Sequence, residues 1–409
     1  MPIKDLEQIL SNRIEKGKKL IDTSSTALVA PGENYGGELL GLEITVEDEN
    51  TKARDIIHAV GKKIPPTKQL QESFNIQVTF RAEILFYEKI VPMLREFQKE
   101  NGIKDVINCF VEFYGGRLNL NGSDVVDKDA VIIMENLITS GYKNIDRHIG
   151  YNLEESRIVI KDLANLQATV LALKLKKPDV FQKEIRPLCC NVLTPPGESQ
   201  FSEVINVIRD ILLENDKIAA YVPKAMVIWN KYENRIYKAR EPFVTLSHCD
   251  LWVNNAMMKY ENGKPIKNIF IDFQLYSYKS PVIDLLNFLF TSVQTEVLQK
   301  EFDNLVKFYH SELISNLHKL NCDSEPFSFS KFEEELEIDA GFVLSWTLIF
   351  ISLVVFGEKR KPDQEVKGSD MDFKSEEFLN KVRSMMPQGK ERLYFMIETF
   401  GRKGWLRTE

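Results

Sequence analysis

The sequence predicts an α+β fold in which a small sheet-bearing unit, residues 1–135, precedes a larger and mostly helical one, residues 136–409. Three observations carry this reading. Short apolar runs separated by turn residues cluster before residue 135, where a single helix interrupts them. Apolar residues at helical spacing dominate everything after it. Only one pair of short strands breaks that helical half, and Asn262–Gly263 joins them.

In chain order, strands are predicted at Thr26–Ala30, Leu39–Glu47 and Ile56–Ile64. A helix over Ile76–Lys99 carries Phe80, Ile84, Tyr87, Val91 and Leu94 on one stripe. Strands at Cys109–Tyr114 and Ala130–Met134 complete a five-stranded unit, with Asn121–Gly122 turning between them. Helices are expected at Leu153–Lys176, Phe201–Glu214, Ala219–Arg240, Pro281–Leu320 (as two helices), Phe329–Gly357 and Ser375–Phe400. The hairpin strands fall at Ala256–Tyr260 and Ile266–Asp272.

A net charge of −7 lacks the basic field of a nucleic-acid binder, and nucleic acid is excluded as a partner. Five cysteines without metal spacing or an even disulfide pattern point to a reducing, cytoplasmic setting. The first twenty residues place Ile3, Leu6, Leu10 and Ile14 at helical spacing among charges and contain no apolar leader core. Ala340–Gly357 runs 18 residues without a charge, the lower limit for a membrane span. Ser345, Thr347 and Ser352 dilute it, so it reads as a buried helix with no membrane expected.

The chemistry concentrates in one segment, HCDLWVNN at 248–255, followed by IDFQ at 271–274. Asp250 and Asn255 on a loop entering the hairpin place both side chains at one cleft, and Asp272 closes the hairpin's second strand. Phosphoryl transfer calls for this set: a carboxylate to accept the acceptor hydroxyl's proton, and an Asn with a second carboxylate to hold magnesium beside the nucleotide phosphates. The cofactors are then ATP and Mg2+, with Asp250 catalytic and Asn255 and Asp272 on the metal. The competing reading makes all three turn or strand-end residues. His248 orients the loop backbone in this scheme and moves no proton.

HCDLWVNN together with IDFQLYSYKSPVIDLLNFLF resembles the insect ecdysteroid-kinase-like family, relatives of choline and aminoglycoside kinases. The resemblance implies a two-lobed, protein-kinase-like fold and an ATP-dependent kinase acting on small molecules. It extends over most of the chain. Gly32, Asn34 and Tyr35 resemble the family's nucleotide loop, Lys62 its strand-end lysine, and Glu83 the helix glutamate that holds this lysine. Glu135 to Leu137 resemble the hinge that takes the adenine edge, with Met134 lining the pocket. Lys63 competes with Lys62, because strand alternation turns only one of them toward the cleft; the family pattern favours Lys62.

Three departures stand out. Cys249 occupies a position where the family has Gly, and would be strained if that position needs positive φ. Gln167 stands where the family often has His, which alters support for the catalytic loop; Gly36–Gly37 follows Asn34 and Tyr35 in place of a small polar pair. About eight residues separate Asp272 from Ser280–Pro281, which leaves no room for the activation segment of a protein kinase. The acceptor is then a small-molecule alcohol. Asp284, at a helix start, is expected to bond the catalytic loop. Phe288, Phe290, Phe342, Trp346, Phe350 and Phe356 offer an apolar acceptor wall, though an aromatic stripe at helical spacing is more often core than pocket. A choline-like or foreign acceptor, and a catalytically dead ligand-binding pseudokinase, are the alternatives.

Overall fold

A computed structural model describes residues 3–28, 37–189, 200–233, 235–357 and 372–407. A turn of helix, α1 (Leu6–Ile9), leads into the first sheet, β1 (Lys18–Ala27), β2 (Glu38–Asp48), β3 (Arg54–Lys63), β4 (Phe113–Arg117) and β5 (Val131–Glu135). All pairings are antiparallel, in the order β1-β2-β3-β5-β4. After β3 come α2 (Lys68–Ser73) and α3 (Ile76–Leu85), which passes through a π turn at Phe86–Ile90 into α4 (Val91–Glu100).

Alternation along β2, β3 and β5 sorts the sheet's two faces. Leu42, Ile44, Val46, Ala59, Val131 and Ile133 pack outward against Leu6 and Leu10 of the N-terminal arm. Ile132 and Met134 point the other way, into the core that contains Phe80, Ile84 and Phe86. Lys62 pairs with Ile132 across β3 and β5, which turns it to this inner face.

The helical half begins with β6 (Tyr142–Lys143) and α5 (Leu153–Lys176). A capping box starts α5: Asn152 accepts from the Glu155 amide at 3.0 Å and Glu155 accepts from the Asn152 amide at 2.8 Å. One turn, α6 (Pro178–Val180), precedes α7 (Ser202–Leu213) and α8 (Val222–Tyr232), and β7 (Thr245–Ser247) runs into the HCDLWVNN loop. The hairpin is β8 (Ala256–Glu261) and β9 (Lys264–Phe270), with Asn262 and Gly263 both at positive φ as a primed turn requires. A short β10 (Ser277–Lys279) pairs with β7 ahead of α9 (Pro281–Ser292) and α10 (Thr295–Lys319). The chain closes with α11 (Phe329–Phe350) and its π turn Ile351–Val355, α12 (Glu376–Arg383) and α13 (Pro387–Arg402). This is the two-lobed, protein-kinase-like α+β arrangement.

Several expected boundaries move. The first strand starts at Lys18, not Thr26, because an exposed edge strand rich in Lys, Ser and Thr carries no apolar alternation. It also leaves a single helical turn, α1, where the N-terminal spacing suggested more. The fourth strand is Phe113–Arg117 rather than Cys109–Tyr114: the apolar run before it is spent elsewhere, with Phe110 bridging Phe270 and the Cys109 carbonyl accepting from Phe270 N at 2.7 Å. The second hairpin strand stops at Phe270, two residues short of Asp272. The helix expected over Ala219–Arg240 is confined to Val222–Tyr232, and Pro387 splits the last one.

Among the described residues one helix is long and apolar enough to cross a membrane, Phe329–Val355, and 67% of its most apolar window is buried inside the protein. Packing also ignores the boundary near residue 135. The core that holds α3 and α4 is continuous with that of α5 and α9 to α11, and Gln98 of α4 donates to Thr169 of α5 at 2.7 Å.

Candidate active site

The HCDLWVNN loop lies between β7 and β8, and its shape follows from where its backbone amides go. Asp284 sits in the first turn of α9, which Ser280 caps and Pro281 starts. Its buried carboxylate accepts from His248 N at 2.7 Å, Cys249 N at 2.8 Å and the Gln167 side-chain amide at 3.0 Å. Burial pushes the Asp284 carboxyl up to about 6, against these three donors, which favour the ionised form. Tyr309 of α10 donates to Gln167 from the far side, which fixes the amide's orientation. Asp284 thus takes the positioning role expected of it, and Gln167 does support the loop.

His248 is buried, and burial lowers its pKa to about 4, so the ring is neutral at physiological pH. Its Nε2 lies 3.0 Å from the Ile271 carbonyl and must donate, while Nδ1 accepts from Asp250 N at 3.3 Å. The imidazole therefore ties the loop to the residue before Asp272. A neutral ring with both nitrogens engaged is an orienting group.

Asn255 donates from Nδ2 to the Asp250 carbonyl at 2.7 Å and to Asp250 Oδ2 at 2.8 Å. Both bonds use the amide nitrogen, so they leave its oxygen, the atom a hard cation takes, uncommitted to the loop. Asp272 stands at φ 64, and Phe273 beyond it stacks on Phe86 at 3.7 Å between ring centroids. That stack pins Asp272 to the π turn of the α3–α4 helix. Lys62 Nζ lies 2.6 Å from Glu83 Oε2 and 2.8 Å from Asp272 Oδ1, with Lys62 only 3% and Glu83 1% exposed. Burial alone would discharge Lys62; the Asp272 and Glu83 carboxylates reverse this and hold it protonated.

Burial likewise pushes the Asp250 carboxyl well above the ordinary carboxylate range, and the Asp272 charge adds to the shift while Asn255 opposes it. Two carboxylates brought together in this way, with an Asn oxygen beside them, are the donors a divalent cation prefers. Among the described residues no three His, Cys, Asp or Glu side chains converge on a metal site. Magnesium at nucleotides needs no such cage, since one or two carboxylates and the phosphates complete its shell.

The structure brings Lys62, Glu83, Asp250, Asn255 and Asp272 together. Lys63 faces away, on the opposite side of β3. Met134 and Glu135 end β5, and Leu137 is buried just beyond it at the junction between the two halves. Gly32, Asn34, Tyr35 and Gly36 lie outside the described residues. Gly37 follows them, and any side chain there would collide with the Lys63 carbonyl.

Cys249 adopts φ 65, the left-handed conformation that costs a side chain roughly 1–2 kcal/mol. Hydrogen bonds from the backbone N–H groups of His248 and Cys249 to Asp284 hold it there. Burial pushes its thiol up to about 12, so it stays neutral. Cys249→Val is expected to lower stability by about 2 kcal/mol, since a β-branched residue tolerates positive φ least. Cys249→Gly should be near neutral, relief of strain offsetting the added chain entropy. Equal melting temperatures for the two variants would show that the loop does not keep this φ in solution.

The apolar wall divides. Phe288 and Phe290 are fully buried, Phe290 among Phe302, Phe395 and Phe400, and belong to the core rather than to a pocket. Phe356 stacks on His148. Trp346 is 50% exposed, and it meets Phe350, which in turn meets Trp252 of the HCDLWVNN loop. Trp252, two places after Asp250, joins these rings although the expected aromatic set did not include it.

The description of the ecdysteroid kinase-like family matches residues 31–322. No curated protein matches the chain. Among solved structures, a Plasmodium vivax ethanolamine kinase aligns at 12% identity and a TM-score of 0.36, covering 95% of this chain and 84% of its own. An aminoglycoside 2′-phosphotransferase-IIIa variant with GDP aligns at 9% and 0.40, over 94% and 98%. A choline kinase from Cryptosporidium parvum Iowa II aligns at 10% and 0.35, over 96% and 91%.

Proposed function

Because the chain belongs to the ecdysteroid kinase-like family, we propose that it is an active small-molecule kinase that transfers the γ-phosphoryl group of ATP to an alcohol hydroxyl. The observation that carries this reading is the buried Glu83–Lys62–Asp272 relay ending beside Asp250 and Asn255. Glu83 and Asp272 hold the lysine protonated at 2.6 and 2.8 Å, which supplies the cation that nucleotide phosphates call for.

In this mechanism Asp250 accepts the proton of the acceptor hydroxyl, its raised pKa making it a better base than an ordinary carboxylate. Lys62, steadied by Glu83, faces the nucleotide phosphates. Met134, Glu135 and Leu137 would take the adenine edge, and the family resemblance assigns Gly32, Asn34 and Tyr35, which lie outside the described residues, to the phosphates. Asn255 and Asp272 would hold magnesium, which neutralises phosphate charge. Asp284, His248 and Gln167 keep the loop in register. The acceptor we favour is an ecdysteroid or related lipophilic alcohol, for which the family name and the aromatic side of α11 are the support. Of the five cysteines, the four among the described residues are free thiols, which supports a reducing, cytoplasmic setting.

The test is mass spectrometry of a panel of hydroxylated steroids, amino alcohols and plant phenolics incubated with protein, ATP and magnesium. A phosphorylated product is expected; thermal stabilisation by ATP–magnesium with no product from any compound would sink the kinase reading. Asp272→Ala should weaken magnesium-dependent nucleotide binding by roughly ten-fold or more. An unchanged magnesium dependence in a nucleotide titration would remove Asp272 from that role.

A further inference from the structure

We propose that Asn287 is a positioning residue for the base: α9 grips the chain on both sides of Asp250, Asp284 through the amides before it and Asn287 through the carbonyl after it. This rests on the kinase reading above, in which Asp250 is the base, and names a residue that keeps it in place.

Every peptide group from Ser247–His248 to Leu251–Trp252 has a polar atom tied to a side chain. Asp284 takes the His248 and Cys249 amides at 2.7 and 2.8 Å. His248 Nδ1 takes the Asp250 amide at 3.3 Å. Asn255 Nδ2 donates to the Asp250 carbonyl at 2.7 Å, and Asn287 Nδ2 donates to the Leu251 carbonyl at 3.1 Å. His248 and Asn255 belong to the loop and move with it. Asp284 and Asn287 stand three residues apart on α9, hence on one face, and fasten the loop to a buried helix.

Beyond Asp250 the chain must turn back so that Asn255 reaches Asp250 Oδ2 at 2.8 Å. The turn is short, with the Asn255 amide donating to the Trp252 carbonyl at 2.9 Å. It is entered through the Leu251–Trp252 peptide group, whose carbonyl Asn287 holds. Among the described residues the next outside anchor is Tyr151, 3.4 Å from the Val253 carbonyl. The Leu251 side chain is fully buried, but apolar packing is non-directional and does not set the rotation of that peptide group. A hydrogen bond to a fixed amide does.

The Asn287 amide is itself set from behind. A carbonyl only accepts, so Nδ2 faces Leu251 and Oδ1 faces the other way. There Thr347 of α11 donates to Oδ1 at 3.4 Å. Asn287 is 6% exposed and Thr347 is fully buried, so bulk water does not replace either bond. Leu286 and Phe288 on either side of Asn287 are fully buried as well, and packing alone asks for no amide at this place. Thr347, Asn287 and the Leu251 carbonyl thus form one line from α11 to the residue beside the base.

The experiment uses the full chain as wild type, Asn287→Leu, Thr347→Val, Asp250→Asn, and Asp250→Asn combined with Asn287→Leu. Turnover is read as ADP release at saturating ATP and magnesium, with water as the acceptor. Loop opening is read as hydrogen exchange over residues 249–256 by mass spectrometry. Asn287→Leu should lower kcat by about ten- to a hundred-fold, the effect of a misplaced reacting group. The KM for ATP should change little, because Lys62 and Asp272 are untouched. Thr347→Val keeps its shape and loses only the donor behind the amide, so kcat should fall by about two- to ten-fold; it carries the same test should Asn287→Leu not fold. In the Asp250→Asn background Asn287→Leu should cost little more, since the base it positions is gone. Exchange over 249–256 should rise in both single variants while α9 and α11 stay protected. An equal loss of kcat in both backgrounds, or unchanged exchange, would mean that Asn287 serves the fold alone. Raised exchange with unchanged kcat also overturns the positioning role and leaves the kinase reading standing. A wild type that releases no ADP and phosphorylates nothing in the panel above overturns that reading, and the base with it.

Discussion

Replacing Asp250 by Asn lowers kcat by a factor of roughly 10²–10⁴, the range associated with removing a general base, while ATP still binds. The substitution preserves the side chain's size and its place beside Asn255, so the loss reports the carboxylate's basicity and not the loop's shape. It also removes the like charge that faces Asp272, and nucleotide binding with magnesium should change far less than turnover. The pH profile carries the same argument. Burial raises the Asp250 pKa, which means that the base is protonated, and turnover lost, at a higher pH than an ordinary carboxylate would require. The acid limb of kcat/KM should therefore lie above the usual carboxylate range and disappear from the residual activity of Asp250→Asn. His248 should not contribute a limb near neutrality, because its ring is already uncharged there. A variant with near-normal turnover, or one that keeps the acid limb, would remove Asp250 from the role of base.

How much of this site can be read in the sequence depends on how far apart its partners lie. Asp250, Asn255 and Asp272 fall within one loop and hairpin, and Asn262–Gly263 makes that hairpin visible, so their convergence follows from local rules. Lys62 and Asp272 are 210 positions apart, and their contact depends on which face of β3 the lysine takes. Alternation leaves Lys62 and Lys63 equivalent until a partner strand sets the face; pairing of Lys62 with Ile132 does so. The polar support of the loop is legible only as isolated residues. Gln167 is 117 positions from Asp284 and 142 from Tyr309, and no spacing rule connects them. The same limit applies to the aromatic wall. Helical spacing gathers Phe288, Phe290 and Trp346 as equals, and only packing separates two core rings from one exposed indole. On the fold side, helices with a strong apolar stripe are placed closely, whereas β1 is an edge strand whose exposed residues leave no pattern to detect.

The cost of removing Lys62 separates its structural role from its chemical one. Lys62→Met leaves Glu83 at 1% exposure with no counter-charge, and one of its carboxylate oxygens already has no hydrogen-bond partner. Breaking a buried ion pair from one side costs about 3–5 kcal/mol, because the remaining charge must stay desolvated or take up a proton. The variant should thus unfold at markedly lower urea, and turnover should fall by at least about 10²-fold as phosphate charge goes unopposed. Replacing Glu83 by Leu in the same chain removes the orphaned carboxylate. Most of the stability should return, since well-packed apolar residues often substitute for a buried pair without loss. Activity should not return, because no cation faces the phosphates. Stability and turnover moving together across both variants would mean that Lys62 serves the fold alone. Stability recovered with turnover still absent assigns its charge to the nucleotide.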